Sequence, residues 1–239
     1  MPETKLVSTA IRAISSMATR QVLAELVATF EQRYGVRVVV ESVGGVDAAR
    51  RIDAGEAFDL AILASDAIDR LVRNGRLLPG SRVDLVHSGV AVAVRAGAAQ
   101  PDISTEPAMR DAVLSAKSIG YSTGPSGVAL IGLFERWGIA GQIQDRLFQA
   151  PAGVPVGSLV ARGEVELGFQ QLSELIHLAG IDVVGPLPAA VQITTTFSAG
   201  VCVNSQQADQ VRDLIAFLNS ADAAPVKRRQ GMEPAFPLT

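Results

Sequence analysis

A chain of 239 residues, 48% hydrophobic and 19% charged with a formal net charge of −3, is long enough for one large or two modest globular domains. Its near-neutral balance and scattered cations argue against a nucleic-acid partner, and the one dense basic cluster, Lys227-Arg228-Arg229, reads as a solvated helix end. A single cysteine, Cys202, excludes an intrachain disulfide and any CxxC zinc or redox pair, and reads as a buried strand residue.

Apolar runs rich in Val and Ile alternate with segments of helical period. "LVSTAIRAI" reads as a first strand, and "ATRQVLAELVATFEQRYG" as a helix with Val22, Leu23, Leu26, Val27 and Phe30 on one face. "VRVVVESV", the helical "VDAARRIDAGE", the buried strand "FDLAILA" and the helix "DAIDRLVRNGRL" follow, a βαβαβ succession with a parallel sheet. After the extended run "DLVHSGVAVAVRAG" a second α/β unit is expected to start. It holds the strand "SIGYS", the helix "GVALIGLFERWGI", the helix-like "PVGSLVARGE" and the strands "VELGFQQ" and "IDVVGPLP". A second long extended run, "QITTTFSAGVCVN", precedes terminal helices in "ADQVRDLIAFLNSADAAPVKRRQGM". Two such runs bracketing the middle of the chain suggest two crossings between lobes, with 1–87 and 197–239 as one lobe and 88–196 as the other.

The opening "MPETKLVSTAIRA" has no basic segment leading into a long apolar run, and no stretch reaches the roughly 18 apolar residues of a membrane span. As it stands the chain is expected to be cytoplasmic, or periplasmic if a leader was removed.

Polar loops at strand ends, just before helices, are where an open α/β sheet places its ligands. "ISSMATR" offers Ser15 and Ser16, and "LASDAID" offers Ser65 and Asp66. "SIGYSTGPSGV" offers Ser122, Thr123, Gly124, Ser126 and Gly127, and "FQQLSE" offers Gln170 and Gln171. Each pairs a hydroxyl or amide with the unpaired N–H groups of a helix start, a design suited to an anion. Taken singly, Ser15, Ser65 and Ser126 also read as helix caps. The Gly-Pro-Ser-Gly cluster is neither a Walker loop nor a dinucleotide fingerprint. Arg20 is placed to clamp a carboxylate, although an arginine on an amphipathic helix is usually solvated. Gly44-Gly45 and Asp47 form a further strand-to-helix loop, with Asp47 expected as an N-cap. His87 and His177 sit in no metal-ligand spacing, so neither metal nor cofactor is expected. Phe169, Phe197 and Trp137 read as core.

The order "AISSMAT", "FDLAILASDAIDRL", "IGYSTGPSGV", "ARGEVELGFQQLSEL" and "FLNSADAAPVKRRQGMEP" resembles the molybdate-binding group of type II periplasmic solute-binding proteins over nearly the whole chain. The resemblance implies two α/β lobes joined by a two-segment hinge. These close on an oxyanion held by serine hydroxyls and backbone N–H groups, with Ser15 or Ser16, Ser65, the Ser122–Gly127 loop and the Val154 segment lining the cleft. The molybdate binders commonly place a tyrosine where this chain has Phe169-Gln170-Gln171, and a glutamine pair fits an organic acid at least as well as a tetrahedral dianion. Aconitate isomerase belongs to the same group, so the resemblance also admits an enzyme.

Three functions follow. The first is a two-lobed receptor, expected to be a monomer, for a small anion, either an organic polycarboxylate or an oxyanion. Its partner would be the membrane component of an ABC transporter if the protein is exported. The second is an isomerase of an unsaturated polycarboxylate acting by proton transfer, with no obvious general base apart from Asp47, Asp66 or, more distantly, Glu174 and His177. The third, a ligand-responsive regulatory domain, lacks DNA-binding helices and a basic face.

Overall fold

The computed structural model describes residues 10–235; the start of the first expected strand, residues 6–9, and the end of the chain, 236–239, lie outside the described residues. The elements run β1 (Ile11–Ser16), α1 (Arg20–Tyr34), β2 (Val38–Val43), α2 (Gly45–Asp53), β3 (Leu60–Ala64), α3 (Ser65–Arg73) and β4 (Val83–Arg95). Next come α4 (Glu106–Ser115), β5 (Ile119–Tyr121), α5 (Pro125–Arg136), α6 (Ala140–Ile143), β6 (Leu147–Gln149), α7 (Val156–Ala161), β7 (Leu167–Gln171) and α8 (Leu172–Leu175). The chain finishes with β8 (Ile181–Pro186), β9 (Thr194–Val201), α9 (Ala208–Leu218), α10 (Ala224–Arg229) and β10 (Met232–Pro234).

The chain divides into two compact units. The first takes the residues up to Leu85, Phe197–Lys227 and those from Pro234 on; the second takes Val86–Thr196 and Arg228–Glu233. In the first unit β1 pairs in parallel with β2 and β3, and β3 pairs antiparallel with β9. Parallel pairing forces each connection to return through a helix, so α1, α2 and α3 all start at the same edge of that sheet. Its core gathers Ile14, Ile52, Leu63, Ile68, Leu71 and Leu77. Val22, Leu23, Leu26, Val27 and Phe30 are all buried, the face that the helical period of α1 indicates.

In the second unit β5 pairs in parallel with β6 and β7, while β7 and β8 run antiparallel to β4. Its core is built on Phe134 and Phe169, whose rings meet edge-on with centroids 6.0 Å apart. Phe197 is buried, and Trp137 packs against this core while donating its indole N–H to Glu106 at 2.7 Å. A Cβ on Gly168 would lie 2.5 Å from Val160, and one on Gly120 would lie 2.9 Å from Val165 and 3.0 Å from Val156. Both glycines therefore let α7 lie directly on β5 and β7.

One member of the basic cluster near the C-terminus, Lys227, is not solvated. Lys227 is 1% exposed and donates its ammonium to the Leu85 carbonyl at 2.8 Å, so the aliphatic stem fills core space while the charge is taken up by backbone. Arg228 and Arg229 remain exposed. Asp47 is not the cap of α2: Gly44 holds that position, and Asp47 pairs with Arg50 one turn on.

Burial lowers the Lys227 ammonium from its usual 10.5 to about 8. Between about pH 8 and 10.5 the unfolded chain keeps a proton that the folded chain has lost, so stability should rise with pH across that window. Urea unfolding of parent and Lys227→Met at pH 7.5 and pH 10 tests this. The stability difference, parent minus variant, should grow at the higher pH, and a difference unchanged by pH would show that the ammonium is not desolvated.

Candidate functional site

The expected loops all leave parallel strands at their C-terminal ends. In the first unit, Ser15 and Ser16 alternate to opposite sides of β1. Ser15 is fully buried, and its hydroxyl meets that of Ser42, its register partner on β2, at 2.8 Å. Ser16 is half-buried and caps the turn into α1, accepting from the Ala18 N–H at 3.4 Å. Its hydroxyl lies 3.7 Å from where a Cβ on Gly45 would sit, so the starts of α1 and α2 converge on Ser16.

Ser65 is the first residue of α3, not its cap; position Ala64 precedes it and no side chain caps the helix. The half-buried Ser65 hydroxyl has no partner among the described residues, which leaves both its proton and its lone pairs available. Arg20 opens α1, is exposed and has no acidic residue in its turn. A cation at the positive end of a helix is placed against the macrodipole, an arrangement that favours an arriving anion over the empty fold.

In the second unit, α5 starts two residues before the expected "GVALIGLFERWGI", with Gly124 at the cap and Pro125 in the first turn. Ser126 is therefore inside the helix and not its cap. The hydroxyls of Ser122 and Ser126 lie 3.2 Å apart; one donates to the other, and one proton is left over. The N–H groups of Thr123 and Gly124 find no acceptor among the described residues, whereas Gly127 and Val128 both donate to Gly124 O. A Cβ on Gly127 would fall 1.9 Å from the Ser122 carbonyl oxygen, so the loop can close this tightly only on glycine. Val154 is half-buried, and its N–H is spent on Pro151 O at 3.0 Å in a local turn before α7.

The glutamine pair divides its labour. Gln170 is 4% exposed and fully engaged: its Oε1 accepts from the Gly157 N–H at 3.3 Å and its Nε2 donates to Glu174 Oε2 at 2.7 Å. Gln171, equally buried, donates Nε2 to Thr195 Oγ1 at 2.9 Å, but its Oε1 is buried with no partner. An unpaired buried carbonyl costs about 1–3 kcal/mol unless something else supplies a donor. Burial pushes the half-buried Glu174 carboxyl up to about 7.

Ser42 carries no motif and is found only through strand register, whereas the tie of Glu174 to Gln170 follows from their four-residue spacing. His87 is bonded to Thr196 and His177 to Gln230. Among the described residues no group of three or more His, Cys, Asp or Glu is placed to hold a metal, and no helix is long and apolar enough to cross a membrane.

Two substitutions separate hydroxyl from backbone in the Ser122–Gly127 loop. Ser126→Ala should lower the melting temperature little, since one hydroxyl contact is worth about 1 kcal/mol. Gly127→Ala should be strongly destabilising, because its Cβ meets backbone. Equal melting temperatures for the two variants, by calorimetry, would contradict the close approach at Gly127.

Residues 11–233 match the family described as bacterial extracellular solute-binding protein. Aconitate isomerase from Pseudomonas sp. is 37% identical over 232 residues, 95% of this chain and 88% of that one. Among solved structures, the periplasmic molybdate-binding protein of Azotobacter vinelandii has a TM-score of 0.78 at 20% identity, covering 95% of this chain and 100% of that chain. The sulfate-binding protein SubI of Mycobacterium tuberculosis H37Rv has a TM-score of 0.77 at 17% identity, covering 96% and 88%. The mixed α/β fold is that of the type II periplasmic binding proteins.

Proposed function

The chain belongs to the bacterial extracellular solute-binding protein family, and from that premise we propose that it binds a small organic polycarboxylate through the loops that end β5 and β7. The observation that carries this reading is the unpaired Oε1 of buried Gln171. Molybdate and sulfate are acceptors only at neutral pH and leave that carbonyl without a donor. At that pH an ionised carboxylate is an acceptor as well, so the donor to this carbonyl is the hydroxyl of a hydroxy acid or a carboxyl that the site keeps protonated. A half-turn of the amide would exchange its ends and leave an N–H unpaired instead, to which a ligand carboxylate is the acceptor.

In the second unit the anionic charge of the ligand is matched by the free N–H groups of Thr123 and Gly124, with Ser122 and Ser126 supplying one further proton; Ser16, Ser65 and Arg20 offer donors of the same kind in the first unit. The molybdate- and sulfate-binding neighbours support anion binding as such, and the closer sequence likeness to aconitate isomerase supports the carboxylate class. Ser15 and Val154 contribute through position, the one clamping β1 to β2 and the other shaping the turn before α7. Binding by a monomer, with delivery to the membrane component of an ABC transporter, completes this reading.

A second reading, isomerisation of the bound acid, is favoured by the 37% identity to an isomerase over nearly the whole chain and by a carboxyl whose proton affinity is matched to neutral pH.

Titration calorimetry against citrate, cis-aconitate, molybdate and sulfate tests the proposal. The parent should bind a tricarboxylate more tightly than either tetrahedral anion. Gln171→Leu should weaken that binding by about 1–3 kcal/mol, or up to about a hundredfold. Gln170→Leu should instead cost stability, because it strands the Gly157 N–H and the Glu174 carboxyl. Tight molybdate binding that is indifferent to Gln171→Leu would overturn the carboxylate assignment.

A further inference from the structure

Every carboxylate and imidazole named as an available base has a different setting. Asp47 is held by Arg50, and His177 is exposed and bonded to Gln230. Asp66 is exposed in the first turn of α3. Glu174 differs from all three. It stands in α8, directly after β7, and β7 pairs with β5 so that Tyr121 lies opposite Phe169. The Ser122–Gly127 loop and the Gln170–Glu174 segment therefore leave neighbouring parallel strands at the same edge of one sheet.

The carboxyl is held in place by a fixed chain of hydrogen bonds. The Gly157 N–H donates to Gln170 Oε1, which orients the amide so that Nε2 faces Glu174 and donates to Oε2. One carboxyl oxygen is thereby fixed. The other has no partner among the described residues, and Glu174 is only half-buried, so that oxygen is not sealed off.

Among the described residues no cation pairs with Glu174, and Gln170 is its hydrogen-bond partner. Neither β7 nor α7 carries an ionisable side chain, and β8 contributes only Asp182, whose carboxylate accepts from the Gly97 N–H. At the turn that meets Leu172 and Ile176 through Gly231, Arg228 and Glu233 pair with each other. On α8 itself Glu174 is the sole ionisable side chain, with His177 just beyond it on Gln230. A structural carboxylate gains from a cation; this one is kept from cations and oriented by an amide, which suits a group that must take up and return a proton.

We infer that Glu174 is the base and acid of an allylic proton transfer on an unsaturated tricarboxylate held by these loops, a step that rests on the isomerase reading above. Its free oxygen takes a proton from the methylene carbon of the ligand. The C–H electron pair forms a new C=C bond to the central carbon, the electrons of the old C=C bond move to the far carbon, and Glu174 returns the proton there. One C–H bond breaks and one forms, so no oxidant, reductant or co-reactant is required. Gln170 serves as the positioning residue, acting through Glu174.

The test uses cis- and trans-aconitate followed by proton NMR in D2O, with binding measured separately by calorimetry. The parent should interconvert the two acids, with a rate that falls below about pH 7 as the carboxyl becomes protonated. Glu174→Gln should bind within about threefold of the parent yet turn over at least 100-fold more slowly, because an amide keeps the shape but accepts no proton. Glu174→Asp should recover part of the rate, which guards against a variant that merely misfolds. A parent that binds but neither isomerises nor exchanges deuterium would overturn the isomerase reading and this assignment with it. Turnover undiminished in Glu174→Gln would overturn the assignment alone, and so would loss of rate explained wholly by loss of binding.

Discussion

A parallel strand cannot turn directly into its neighbour; it must return through a helix, and the first amides of that helix have no carbonyl to reach. Everything distinctive in this protein follows from how those amides and the side chains beside them are satisfied. Ser16 caps its own turn, Thr105 caps α4, and Gly124 O takes two amides of α5. Where satisfaction stops, at Ser65 in the first unit and at Thr123, Gly124 and Gln171 in the second, the groups left over stand at strand ends.

Orientation is enforced by buried contacts behind those groups. Ser15 meets Ser42 across β1 and β2, which fixes the side of the strand on which Ser16 must emerge. Gly127 lies against the Ser122 carbonyl, so the loop before α5 keeps one shape. Gln170 ties β7 to α7 through Gly157 and to α8 through Glu174, leaving Gln171 to present its unpaired end. Preorganisation of this kind lets binding energy go into the ligand and not into ordering loops. It is also why the proposed base is oriented by a neutral amide: a cation in that place would hold the carboxylate ionised and weaken it as a base.

The α/β class is legible in the sequence, because long Val- and Ile-rich runs alternate with helical periods in α1, α3, α5 and α9, and the type II fold is implied by the resemblance that the ordered loop motifs carry. The short elements are not. Three residues in β6 and four in α6 and α8 carry no period to detect. The start of α5 was signalled by Pro125, whose fixed backbone angle suits a first helical turn, more than by the glycine that follows it. Lys227 could not be read as buried, since its carbonyl partner lies 142 residues away and its neighbours Arg228 and Arg229 are solvated. The candidate loops were legible as strand-to-helix punctuation, whereas the different duties of Gln170 and Gln171, and the setting of Glu174, depend on which groups β7 brings beside α7 and β9.

Thermal unfolding of the parent in the presence of a panel of oxyanions and di- and tricarboxylates tests the central claim most directly. A specific ligand at about a hundred times its dissociation constant adds roughly 2.7 kcal/mol to the unfolding free energy. The account predicts that only carboxylic acids with at least two carboxyl groups give a saturable rise in melting temperature. Saturable stabilisation by molybdate or sulfate, with none from any organic acid, would contradict it.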